Sequence, residues 1–276
     1  MDIIFEKNYP LEPYTERFFL RSVLKRNGEI VQLADFHGKV ERKTLFSTKS
    51  NPMPKENYSI EIENLRKAGL KEEDIDFTLS SFEELFQNFI SIYMSPEIYN
   101  FRYIPYNDSS FAKLEFKPKK ENGYYSSGYY IIGLEDKAFN EVHIKNSTNA
   151  SFTNKRSLKY RTTDYEMNII FQKDPGPEKY VIDKANMTAT VEVLSKKSGR
   201  VLYEVSYKLY TYDNFENLEV KNNISLSKEI FRLKGYYNND FWESQNYLLL
   251  TEEMREFLKT LNDENNDLKS ISNIKS

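Results

Sequence analysis

Arg200-Val201-Leu202-Tyr203-Glu204-Val205-Ser206-Tyr207-Lys208-Leu209-Tyr210-Thr211-Tyr212 is the stretch whose reading decides the fold. Val201, Tyr203, Val205, Tyr207 and Leu209 occupy every second position, and Leu202, Glu204, Ser206, Lys208 and Tyr210 the alternate ones. Successive side chains of a strand point to opposite faces, so the stretch predicts a strand with one buried and one mostly wet face. It is longer than the usual ~5–6 residues, and long strands suit a curved, wrapped sheet. Outward from it, strands are predicted at Phe101–Ile104, Phe111–Lys117, Gly128–Glu135, Ala138–Lys145, Tyr165–Gln172, Tyr180–Asp183, Thr188–Ser195, Leu218–Leu226 and Ile230–Tyr237. Glu135-Asp136-Lys137, Asp174-Pro175-Gly176-Pro177 and Lys196-Lys197-Ser198-Gly199 connect them closely. Short connections make successive strands antiparallel neighbours, so the sheet is a meander.

Towards the N-terminus, Arg17–Lys25 and Glu29–Val40 flank Asn27-Gly28 and read as a β-hairpin. The polar segment 41–57 is a loop. Ile60–Ala68 reads as a short helix stopped by Gly69. A stronger helix begins at Ser80 or Ser81, with Glu83 or Glu84 three residues later as in a capping box. Phe82, Leu85, Phe86, Phe89, Ile90 and Tyr93 then form one apolar stripe, and Pro96 ends it. A last helix is expected over Glu252–Thr260. The expected fold is mainly β (α+β): a large curved antiparallel meander, a half-barrel, with a few helices on its concave face. It forms a single domain over 1–262, followed by a polar tail, 263–276, expected to be disordered.

Composition excludes several chemistries. Charged residues are 29% of the 276 and the net charge is −3, without the basic excess of a nucleic-acid binder. The absence of cysteine removes disulfides, thiol nucleophiles and thiolate-bound metals. No apolar run approaches the ~18 residues of a transmembrane helix. Met1-Asp2-Ile3-Ile4-Phe5-Glu6-Lys7 is not a signal peptide, which leaves a cytoplasmic protein or a trimmed mature chain. The 21 Tyr and 19 Phe fit sheet faces and core, with ligand grooves as the alternative.

Catalytic signals are thin. His37 and His143 are the two histidines. His37 shares a strand face with Asp35, read as a solvated pair rather than a catalytic dyad. There is no zinc-protease helix motif, no nucleophile elbow and no Gly-rich phosphate loop. Glu135-Asp136 is read as a solvated connection. In Asp240-Phe241-Trp242-Glu243, Trp242 is read as an anchor at the sheet end, with an acid–base pair as the weaker alternative.

Several segments resemble the large C-terminal region of secreted Bacteroidetes proteins that carry a carboxypeptidase-like regulatory domain. They are Asn8-Tyr9-Pro10-Leu11-Glu12-Pro13-Tyr14, Phe18-Phe19-Leu20-Arg21-Ser22-Val23, Val31-Gln32-Leu33-Ala34-Asp35, Gly128 to Phe139, Tyr180-Val181-Ile182-Asp183, Thr188-Ala189-Thr190-Val191 and Phe241-Trp242. The chain departs from the family at Glu41-Arg42-Lys43-Thr44 and in the polar stretch Asn146 to Ser157. The resemblance implies a layout similar to the outer-membrane lipoprotein carriers, in which a curved sheet shelters an apolar cavity. It also implies a place in the periplasm or at the outer membrane, and no peptidase activity. The leading expectation is a non-enzymatic envelope protein that binds an apolar molecule, a lipid, a lipoprotein or an envelope protein through its concave face. No cofactor, metal or nucleic-acid partner is expected. Phe86, Phe89, Tyr93, Tyr129 and Ile131 are the candidate ligand-binding residues. An interaction module without a cavity and a carboxylate-pair hydrolase are the alternatives.

Overall fold

The computed structural model describes residues 2–70, 75–120, 126–147, 151–155, 158–196 and 198–262. The expected tail, 263–276, lies outside them. Eleven strands form one open, curved antiparallel sheet. They are β1 (Tyr14–Arg26), β2 (Glu29–Arg42), β3 (Tyr58–Gly69), β4 (Tyr99–Ile104), β5 (Phe111–Pro118), β6 (Ser127–Gly133), β7 (Phe139–Ser147), β8 (Thr153–Lys155), β9 (Leu158–Lys173), β10 (Tyr180–Ser195) and β11 (Gly199–Tyr212). The order is β3-β2-β1-β11-β10-β9-β7-β6-β5-β4, with the short β8 paired to β9. The predicted hairpin closes at Asn27 and Gly28, both at positive φ (53° and 91°), as a tight turn requires. Tyr180–Asp183 and Thr188–Ser195 are two ends of one strand, β10, which continues through a register shift between Ile182 and Lys184.

The chain leaves the sheet at one edge, β3, and re-enters at the other, β4. Helix α2 (Phe82–Ile90) makes that crossing over the concave face. Its start is the capping box read from sequence: Ser81 Oγ accepts from Glu84 N–H (3.2 Å), and Glu84 Oε2 accepts from Ser81 N–H (2.8 Å). Phe82, Leu85, Phe86, Phe89 and Ile90 are all buried against the sheet. The helix ends at Ser91, short of Pro96, and Tyr93 lies beyond it. Helix α1 (Asp2–Asn8) lies over the same face, with Phe5 buried.

The helix expected over Ile60–Ala68 is instead the edge strand β3. A bulge explains the misreading: His37 pairs with Asn64 and Gly38 with Ile62, so Glu63 is an extra residue. Ile60, Ile62 and Leu65 thereby share the concave core, at spacings of two and three that mimic a helical face. Gly38 permits the close approach, because a Cβ there would meet Glu61 O at 2.0 Å. Gly69, read as a helix cap, ends the strand at φ +129°, where a Cβ would lie 2.1 Å from Val31 O.

The strands expected at Leu218–Leu226 and Ile230–Tyr237 are also absent. The first is an extended segment that covers the edge of β3 through a side chain: Asn223 Oδ1 accepts from Ile62 N–H and Asn223 Nδ2 donates to Ile62 O, each at 2.9 Å. The second makes a single 3-10 turn, Ile230–Arg232, before Tyr236 O accepts from Leu65 N–H at 2.7 Å. Both segments occupy the edge without joining the ladder, one way of blunting an exposed strand.

On β11 the alternation holds as read, with Val201 to Leu209 buried on one face and Leu202, Glu204 and Lys208 exposed on the other. β1 and β2 are buried on both faces. Their outer face is covered by helices α3 (Asn239–Ser244) and α4 (Glu252–Asn262). Phe19 packs with Trp242 and Leu248, and Val23, Ile30, Leu33 and Ala68 pack with Met254 and Phe257. Helices therefore lie on both sides of the sheet, not on the concave face only.

Candidate functional site

An apolar pocket opens on the concave side at the β4–β6 end of the sheet. Phe101 of β4, Leu114 of β5 and Tyr130 and Ile132 of β6 form its sheet wall. Phe139, at the start of β7, and Lys137 in the preceding turn extend that wall. Phe5 of α1 and Tyr93, Met94 and Pro96 of the segment after α2 complete it. The space is about 380 Å³.

A network of aromatic rings and hydrogen bonds holds the wall in place. The Tyr130 ring lies 4.9 Å from those of Phe116 and Phe139, and its hydroxyl donates to Ile92 O at 2.6 Å. That bond ties the segment carrying Tyr93 and Met94 to β6. The Phe5 ring contacts Tyr9 at 5.6 Å and Phe46 at 4.9 Å. Tyr9 Oη accepts from Phe139 N–H at 2.7 Å, tying α1 to the sheet. Burial pushes both tyrosine pKa values well above the ordinary range, so these hydroxyls stay neutral. The mouth is exposed: Tyr93 is 54% accessible, and Tyr103, the register partner of Leu114, is 60% accessible.

The structure separates the five candidate ligand residues. Tyr93 lines the pocket. Phe86 and Phe89 are fully buried core beneath α2 and line no part of it. Tyr129 and Ile131 point to the opposite face of β6, one residue out of phase with Tyr130 and Ile132. Sequence could not set that phase, because Tyr129-Tyr130-Ile131-Ile132 is apolar at every position. On the outer face Tyr129 stacks on His143 at 4.9 Å and donates to Glu141 Oε1 at 2.8 Å. Burial, and then that carboxylate, push the Tyr129 pKa up to about 12.

The other clusters singled out in the sequence are structural in geometry. Asp35 and His37 are not partners, and neither is solvated. Asp35 is fully buried between Arg21 (Nε–Oδ1, 2.6 Å) and Arg66 (Nε–Oδ2, 3.0 Å). His37 bonds through Nε2 to Tyr212 Oη at 2.8 Å, and burial lowers its pKa to about 4 against the opposing pull of Glu63. His143 Nε2 meets Glu166 at 2.7 Å. Asp136 accepts from Tyr180 Oη (2.6 Å) and Ala138 N–H (3.0 Å), so it is a built turn rather than a solvated one. Asp240 and Glu243 are exposed, and Trp242 is buried as expected of an anchor. Glu16 has a pKa raised by desolvation, against the pull of Arg42, and it is sealed in the core. Among the described residues no group of His, Asp and Glu is arranged to hold a metal ion, and no helix is long and apolar enough to cross a membrane.

Fold and site together define an open antiparallel half-barrel with an apolar pocket at one end. No protein-family model matches the chain, and no curated protein matches it in sequence. Among solved structures it is similar to lipovitellin, at 12% identity and a TM-score of 0.34 over 93% of this chain. The chain spans only 31% of lipovitellin's length. It is also similar to a domain described as outer-membrane lipoprotein-sorting from Vibrio parahaemolyticus (9% identity, TM-score 0.33, covering 81% of this chain and 91% of that one). A third is a LolA-superfamily protein from Nitrosomonas europaea (12% identity, TM-score 0.26, covering 79% and 94%). With TM-scores this low, the case for a ligand rests on the chain's own geometry.

Proposed function

We propose that the chain is a non-enzymatic protein of the bacterial envelope, periplasmic or associated with the outer membrane, that shelters an apolar ligand in this pocket. The make-up of the pocket carries the reading. Nine of the ten lining residues are apolar or aromatic, and the volume of about 380 Å³ falls in the ~300–1,000 Å³ range of small-molecule sites. An acyl chain, free or carried on a lipid or lipoprotein, fits such a lining. The exposed Tyr93 and Tyr103 at the mouth favour contact with an amphiphilic surface or partner. No lining residue carries a carboxylate or imidazole, which supports binding over catalysis. Kinship with the C-terminal region of carboxypeptidase-like regulatory domain proteins is proposed on the segments quoted above.

Native mass spectrometry of protein recovered from its own cells, followed by organic extraction, tests the reading. A stoichiometric lipid or acylated peptide is expected. Leu114→Trp, which puts a bulky ring into the middle of the sheet wall and narrows the pocket, should weaken both that adduct and binding of N-phenyl-1-naphthylamine while leaving the circular dichroism unchanged. A bare mass, with no fluorophore binding by the wild type, overturns the reading in favour of an interaction module.

A further inference from the structure

The two edges of the sheet are finished differently. At β3, Asn223 and Tyr236 take up outward backbone groups of Ile62 and Leu65. At β4 the sheet ends, and among the described residues no further strand or segment pairs with its outer edge.

The phase of the ladder sets which groups stand on that edge. Ser110 O accepts from Leu134 N–H at 2.9 Å, so the even-numbered residues of β5 turn their backbone groups to β6. Lys119 N–H donates to Ile98 O at 2.8 Å, so the odd-numbered ones turn theirs to β4. Their partners Asn100, Arg102 and Ile104 therefore bond to β5, and the N–H and C=O of Phe101 and Tyr103 face outward. The side chains of Phe101 and Tyr103 share the concave side, where Phe101 lines the pocket and Tyr103 is exposed. Those of Asn100 and Arg102 share the outer side.

Charge favours one kind of partner. The outer side of β4 and β5 carries Arg102, Lys113 and Lys117 against one carboxylate, Glu115. Arg102 bonds Glu115 at 2.7 Å, yet its side chain remains 69% accessible. Lys113 Nζ lies 3.9 Å from the centre of the Tyr129 ring. Glu97 and Asp108 lie beyond the two ends of the strand, in the flanking turns. A second copy of β4 paired across a two-fold axis would set two positive outer faces side by side, whereas an acidic strand would complement one.

We propose that β4 captures an extended peptide of a partner protein as an added antiparallel strand, with apolar residues on its concave side and acidic residues on its outer side. Directly opposite residues share a face, so the apolar ones meet Phe101 and Tyr103 and exchange the backbone bonds. The acidic ones lie beside Arg102. Main-chain bonds supply affinity and the alternate side chains specificity. With six residues and Pro105 directly after it, β4 accepts one short segment. No ligand in the pocket is required.

The test is fluorescence anisotropy of the whole chain with the labelled peptide Ser-Phe-Glu-Ile-Glu-Phe-Glu-Val-Ser at low salt. N-methylation of its apolar residues should weaken binding at least about tenfold. N-methylation of its glutamates should not, because those amides face away from β4. Replacing the glutamates by lysine should weaken binding about tenfold, and by less as salt rises. Tyr103→Pro removes an outward donor without breaking a bond to β5, and should weaken the peptide about tenfold. Tyr103→Thr, which keeps the N–H, should weaken it less. Should Tyr103→Pro fail to fold, the methylated peptides on the wild type decide. Equal weakening by the two methylation patterns overturns the edge assignment. Equal binding of the lysine peptide overturns the acidic partner. No binding at about 1 mM overturns the proposal as a whole. A dimer of the peptide-free protein in light scattering, dissolved by Tyr103→Pro, overturns it in favour of a second copy on this edge.

Discussion

Asp35 on the outer face of β2 bonds two guanidinium groups, Arg21 from β1 and Arg66 from β3, through in-register neighbours. Arg21 also donates to Leu248 O and Leu249 O, both at 2.8 Å, which ties the C-terminal segment to the sheet. Removing one partner of a buried ionic cluster leaves the others uncompensated, so Asp35→Ala should cost about 3–5 kcal/mol in urea unfolding. A loss below about 1 kcal/mol would mean the cluster is effectively at the surface. His37 predicts a pH dependence. Its pKa falls from about 6.5 unfolded to about 4 folded, so between these values the unfolded chain binds more protons. Stability is then complete above pH ~6.5 and declines as pH falls towards ~4, by on the order of 1–2 kcal/mol at pH ~5. His37→Gln should flatten that part of the stability–pH curve; an unchanged curve would place the titration elsewhere.

At the scale of elements, β3 rests on the bulge opposite Gly38. A Cβ at Gly38 would meet backbone, not a side chain that can move, so Gly38→Ala should cost about 3 kcal/mol, the upper end of overpacking losses. Wild-type-like unfolding would show that the bulge relaxes freely. Helix α2 gives the complementary expectation. Phe86 is fully buried among Phe18, Phe82 and Tyr58, so Phe86→Ala should lower stability by about 3–5 kcal/mol and leave N-phenyl-1-naphthylamine affinity unchanged. A drop in affinity at constant stability would return Phe86 to the site. α2 and β11 were legible in the sequence because each has one period and one buried face. β3 was not, since a bulge mixes its periods. The segments 218–226 and 230–237 look like strands in composition, but their hydrogen bonds go to the edge of β3 through Asn223 and Tyr236 rather than into a ladder.

Over the whole molecule, the chain spans the sheet twice: by α2 on the concave side, and by the C-terminal helices on the outer side of β1 and β2. Ending the chain after Asn238 would strip α3 and α4 from Phe19, Val23, Ile30 and Leu33. The expected result is a lower melting temperature and concentration-dependent association in light scattering, because a sizeable apolar face becomes exposed. A monomer with an unchanged melt would make the C-terminal segment an accessory.

The sequence by itself determined a long-stranded antiparallel sheet, the capped helix that plugs it and the N-terminal hairpin. Each depends on a local period or turn, and local chemistry is enough to specify it. Only the tertiary structure decided where the pocket lies. The parity of β6 is not marked by any polar residue in Tyr129-Tyr130-Ile131-Ile132, and Phe5, Met94, Pro96 and Phe139 come together from distant parts of the chain. The second covering of β1 and β2 was likewise hidden, because a strand buried on both faces loses the alternation that tells inside from outside.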